Sequence, residues 1–135
     1  MNKLFNTVVV AQAAYIFITG IWPLIDINSF MAVTGKKTDL WLVKTVGALL
    51  LPVASCLGMY RYLNADKRPA ILLGGAIAVA FISIDFYYAL TDVISDIYLV
   101  DGIIEVGFLL VWIIVAINVK RPAGSESHSI SNPVC

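Results

Sequence analysis

Residues Ile97–Val119 read IYLVDGIIEVGFLLVWIIVAINV, an apolar run interrupted by only two charges, Asp101 and Glu105. At 1.5 Å per residue, a helix of that length reaches about 34 Å, enough to cross the roughly 30 Å hydrocarbon core of a bilayer. Lipid offers the backbone no hydrogen-bond partners, so a spanning segment of this kind must be helical. Working outward, Leu4–Ile25, Leu40–Leu63 and Ala70–Leu90 are runs of the same character. Each has plausible bounds. Pro23 stands near the end of the first, and Thr38 and Asp39 offer an N-cap to the second. Pro69 suits the first position of the third, and Ser95 can cap the fourth. Four such spans with short connections predict an all-α, integral membrane, up-down four-helix bundle over residues 1–120, followed by a polar tail over 121–135.

Composition agrees. Of 135 residues, 60% are apolar and 13% charged, with nine basic and nine acidic side chains. A water-exposed domain carries about 25% charged residues. The even charge balance excludes a basic nucleic-acid binder, and the apolar excess excludes a disordered chain. The single histidine, His128, lies in the polar tail, and Cys56 and Cys135 form no CxxC motif. Neither a metal site nor a cofactor is expected.

Lysine and arginine set the expected orientation. Lys3, Arg61, Lys67, Arg68, Lys120 and Arg121 fall on one side, against Lys36 and Lys37 on the other. Both termini are therefore expected in the cytoplasm of a multi-pass protein of a bacterial inner (plasma) membrane. Asn2-Lys3 before an apolar run imitates a signal peptide, but the run continues through Tyr15-Ile16-Phe17-Ile18, which favours a retained helix. In the outer loop, Ser29–Val33 suits a short interfacial helix before a Thr34-Gly35 turn. The Ser-rich tail is expected to be flexible.

Polar residues within the spans carry the functional signal, because a charge at the bilayer centre costs about 2.5–3.5 kcal/mol and normally faces protein or water. These are Lys44, Asp85, Asp101 and Glu105. Counted from the outer ends of the spans, Lys44 and Asp101 lie roughly 6 Å deep, Asp85 roughly 8 Å and Glu105 roughly 12 Å. Three helices thus bring charges to one layer. Asp101 and Glu105 share a helix face, Asp85 is followed on its face by Tyr88, and Gln12, Tyr15 and Thr19 recur at helical spacing on the first span. One base against three acids leaves two carboxyl groups unpaired, and these must reach water, carry a proton or bind a cation. Glu105, the deepest, is the strongest candidate for carrying a proton.

Blander roles stand beside this one. Lys44 with Asp85 or Glu105 can be a packing ion pair, and Gln12, Tyr15 and Thr19 can serve as inter-helix hydrogen bonders. Trp22, Trp41, Tyr60 and Tyr98 suit the headgroup level. The smooth face of the third span, Gly74-Gly75-Ala76 with Ala78 and Ala80, suits close helix packing or a homo-oligomer. Pro52 can kink the second span and open room beside it.

Thr34-Gly35-Lys36-Lys37-Thr38-Asp39-Leu40-Trp41-Leu42-Val43-Lys44-Thr45-Val46-Gly47, Ser83–Tyr88 and Tyr98–Glu105 resemble segments of uncharacterised bacterial four-helix membrane proteins, a group without an assigned activity. The overall plan is similar to DoxX-like proteins and to the sterol-isomerase-like EXPERA bundles, whose four helices surround a pocket with acidic residues. Small multidrug transporters share the span count but carry a glutamate in the first helix, where this chain has Gln12.

The expectation is a nonenzymatic membrane protein with an outward-facing polar pocket for a cation, a proton or a small amphipathic molecule, transport being a further step. Glu105 and Asp85 would bind or exchange charge, with Asp101 beside them. Lys44 would offset the acid excess, Tyr88 would donate a hydrogen bond, and Gln12 and Tyr15 would line the site. The alternatives are a structural or accessory subunit whose charge layer only fixes packing, and a lipid-modifying enzyme of isomerase type.

Overall fold

A computed structural model describes residues 2–63 and 66–120. The order is α1 (Asn2–Ile25), α2 (Ile27–Thr34), α3 (Leu40–Met59), α4 (Arg68–Leu90) and α5 (Ile97–Lys120), with no strand among the described residues. Four helices are long and apolar enough to cross a membrane: Lys3–Ile25, Leu40–Met59, Arg68–Leu90 and Ile97–Val119. The expected all-α bundle is present, and the chain has the build of a multi-pass membrane protein. The second span is shorter than expected: α3 ends at Met59, and Tyr60–Tyr62 form a turn instead of carrying the helix to Leu63. The polar tail lies outside the described residues.

The short helix expected over Ser29–Val33 is present as the longer α2, Ile27–Thr34. Asp26 caps it, accepting from the backbone N–H groups of Asn28 (3.0 Å) and Ser29 (3.1 Å). Those bonds, Ser29's foremost, hold the Asp26 carboxyl below its usual range. A depressed carboxyl stabilises the fold above the ordinary aspartate pKa and loses that contribution as pH falls through the folded value. Acidification below the usual aspartate range should therefore fray α2, seen as faster amide exchange at Asn28 and Ser29, while Asp26→Asn removes the pH dependence. The helix stops at Gly35, whose φ of +87° only glycine adopts freely. Asp39 occupies the cap position of α3 but makes no side-chain cap bond; the Thr38 hydroxyl donates to its Oδ2 instead (3.4 Å).

The long helices form two tight pairs, α1 with α3 and α4 with α5, with sparser contact between the pairs. Glycines set both. A Cβ on Gly47 would lie 2.5 Å from the Gly20 carbonyl oxygen, so α1 and α3 meet backbone to backbone there. In the other pair, Trp112 of α5 lies against Gly74 of α4, and Phe86 of α4 against Gly102 of α5.

The two ends of the bundle differ. Phe5, Val8, Val9, Ala54, Leu57, Ala70, Trp112 and Val115 form a dry core where α1 and α4 begin and α3 and α5 end. Phe5 meets Trp112 edge to face, with ring centroids 6.1 Å apart. Toward the end where α2 lies, the pairs separate and a cavity opens between them. Pro23 lines it. Pro52, expected to open space beside α3, is exposed and not part of that wall.

Candidate functional site

The cavity encloses about 400 Å³, within the size range of small-molecule sites. Its walls are mainly apolar, with Pro23 from α1, Phe30 from α2, Val46 and Leu50 from α3, and Phe81 and Ile84 from α4. Asp85 of α4 and Asp101 of α5 supply its acidic groups, and Lys37, from the loop between α2 and α3, its one basic group among the described residues.

Three of the four charges expected in one layer do converge. Asp85 and Asp101 line the cavity together, on helices α4 and α5 that approach closely. Gly102 permits this approach: a Cβ there would meet the Phe86 ring at 2.8 Å and the Asp85 Cβ at 3.5 Å. One helical turn further along α5, Glu105 is 1% exposed. Lys44, the fourth, does not join them. It is exposed on α3, and among the described residues no ion pair links it to any of the three acids. The expected Lys44 pairing is therefore corrected: depth alone brings Lys44 to the layer, but the rotation of α3 turns Gly47, not Lys44, toward α1.

Neutral donors from α1 take the place of that base. The Tyr15 hydroxyl donates to Asp101 Oδ1. Gln12, completely buried, donates from Nε2 to Glu105 Oε2 (3.4 Å) and to the Gly74 carbonyl (3.1 Å), while its Oε1 accepts from Trp112 Nε1 (2.7 Å). A side-chain amide can make all three bonds at once. Gln12 and Tyr15 are thus inter-helix hydrogen bonders. Thr19 is not, its hydroxyl donating back to the Tyr15 carbonyl of its own helix (2.9 Å).

Which acid is left over also differs from expectation. Glu105 and Asp101 each accept a side-chain bond, whereas Asp85 is 3% exposed and its Oδ2 has no hydrogen-bond partner. A buried oxygen left in that state costs about 1–3 kcal/mol, more when charged. Tyr88, expected to donate in the pocket, is exposed and sets its ring edge-on to Tyr87 (5.1 Å) away from the cavity wall.

Two residues of the cavity were assigned other places by the sequence. Tyr98, expected at the headgroup level, is half-buried in the wall. Over its ring sits Lys37 Nζ, 4.8 Å from the centroid and donating to the Thr34 carbonyl (3.2 Å). The signal for Lys37 was the Thr34-Gly35 turn, which folds the loop back over the bundle.

The acids do not form a metal site: no three His, Cys, Asp or Glu side chains among the described residues are grouped to hold one ion. The arrangement suits a ligand with an N–H or O–H head and an apolar body. No family model, curated protein or solved structure matches the chain.

Proposed function

We propose that this chain is a small multi-pass protein of a bacterial inner membrane, with both termini cytoplasmic and an outward-facing pocket that binds a small amphipathic molecule bearing a cationic, hydrogen-donating head. One observation carries the reading: Asp85 Oδ2 is buried without a partner in the wall of a largely apolar cavity of about 400 Å³. A protonated amine answers both needs of that wall. It supplies the missing donor and offsets part of the acid excess of Asp85, Asp101 and Glu105. Its hydrocarbon part matches Phe30, Val46, Leu50 and Phe81. Asp85 and Asp101 are the binding residues, Tyr15 orients Asp101, and Gln12 holds Glu105 behind them.

The dry core at the opposite end, with Trp112 seated on Gly74, supports a binding pocket rather than an open passage. The test is calorimetric titration of the purified protein in maltoside micelles with n-decylamine at neutral pH. A hydrogen bond to a charged partner contributes about 1.5–3 kcal/mol, so Asp85→Asn should weaken binding at least tenfold while leaving the helical circular-dichroism signal intact. Equal heats for the wild type and Asp85→Asn would contradict the assignment.

A further inference from the structure

The cavity opens sideways. Among its lining residues, Leu42 and Val46 of α3 are 48% and 47% exposed, and Ile84 of α4, across the seam between the two pairs, is 53% exposed. Helices α3 and α4 touch only sparsely, so the mouth lies along the lipid-facing flank of the bundle. A molecule arriving through it comes from among acyl chains, and its own chains can remain there while only its head enters.

The charges are distributed in two places. The buried Asp85 oxygen, with Asp101 beside it in the wall, is an acceptor open to a donor from the cavity. Lys37 lines the same cavity from the loop above, with only one of its three N–H donors engaged, by the Thr34 carbonyl. Among the described residues no carboxylate lies within ion-pair distance of it. A cavity with an ammonium at one place and a carboxyl oxygen lacking a donor at another matches a head of both signs. Lys37 rests on the Tyr98 ring and the Thr34 carbonyl, but an amine alone would give it no anion, and an anion alone would give Asp85 Oδ2 no donor.

From this we infer that the ligand is a zwitterionic aminophospholipid of the leaflet beside α2, its primary ammonium on Asp85 and Asp101 and its phosphate on Lys37. The inference rests on the pocket reading above and narrows it to one class. The hydrogens matter: an ethanolamine head donates N–H bonds to Asp85 Oδ2, whereas a choline head, of the same charge, has none to give. Beside Asp101 stand Tyr15 from α1, which donates to it, and Glu105 of α5, and neither supplies a positive charge.

The experiment is native mass spectrometry of the full chain in micelles with equal amounts of phosphatidylethanolamine, phosphatidylcholine and phosphatidylglycerol of identical acyl chains, alongside n-decylamine titration. Phosphatidylethanolamine should be retained at least tenfold above the other two. Asp85→Asn should abolish that preference and weaken decylamine binding, whereas Lys37→Gln should lower phosphatidylethanolamine retention severalfold without weakening decylamine binding, since it removes a positive charge from the wall. Equal retention of the three lipids, preference for phosphatidylglycerol, or indifference to Lys37→Gln, with decylamine still bound, overturns the lipid assignment alone. Absence of decylamine binding overturns the underlying pocket reading as well.

Discussion

Gly47→Leu should lower stability by at least about 3 kcal/mol, at or above the upper end of the usual cost of overpacking. Such a cost is normally limited by the ability of side chains to shift. Here the obstacle is backbone: a Cβ at Gly47 would lie 2.5 Å from the Gly20 carbonyl oxygen and 3.2 Å from Pro23 Cγ. Relief requires α1 and α3 to move apart, which also pulls at the cavity wall, since Pro23, Gly47 and Leu50 line it. Gly75→Ala is the control. A Cβ at Gly75 meets nothing within 4 Å, and its effect should stay within about 0.5 kcal/mol. Unfolding in mixed micelles with rising denaturing detergent reads both. Similar midpoints for the two variants would refute the close approach.

A comparable loss is expected from Gln12→Leu. Inter-helix hydrogen bonds in membranes average only about 0.6 kcal/mol, because the separated helices find other partners. Gln12 differs in serving three groups within a fully buried space, one of them the Glu105 carboxyl. Leaving the Trp112 indole N–H and Glu105 without it costs about 1–3 kcal/mol for each orphaned group, so the variant should lose about 2 kcal/mol or more. Trp112→Phe in the same chain removes one orphan. The double variant should therefore be more stable than the sum of the two single losses by about 1 kcal/mol. Strict additivity would mean that Gln12 and Trp112 do not share a bond.

What the sequence disclosed follows from what each signal measures. Apolar length gave the four spans, because the backbone in lipid has no alternative to helix. It erred at the C-terminal end of α3, where Tyr60, Tyr62 and Leu63 extend the apolar run but lie beyond the helix. Position along the bundle was legible too: Asp85, Asp101 and Glu105 come together because rise per residue is fixed. Rotation about each helix axis was not. Lys44 stands one turn before Gly47, and a stripe drawn through both cannot say which faces the partner; the contact with Gly20 decides for Gly47. The partners of the acids needed the register of α1 against α5, which no single helix encodes. Thus Gln12 and Tyr15 were visible as polar residues in an apolar span, but not which carboxyl each would take. Lys37 escaped because its place depends on the left-handed Gly35 and on the Thr34 carbonyl, local features of a loop rather than a periodic face.

Ligand access to the buried Asp85 carboxyl is read by labelling Phe81→Cys in a chain whose Cys56 and Cys135 are replaced by serine. Phe81 is half-buried in the cavity wall, one turn from Asp85. The thiol should react with a small cationic methanethiosulfonate. Saturating n-decylamine should slow that reaction at least tenfold, and adding Asp85→Asn should raise the amine concentration needed for that protection at least tenfold. An unreactive thiol, or one labelled at the same rate with and without the amine while Asp85 is intact, would contradict the account.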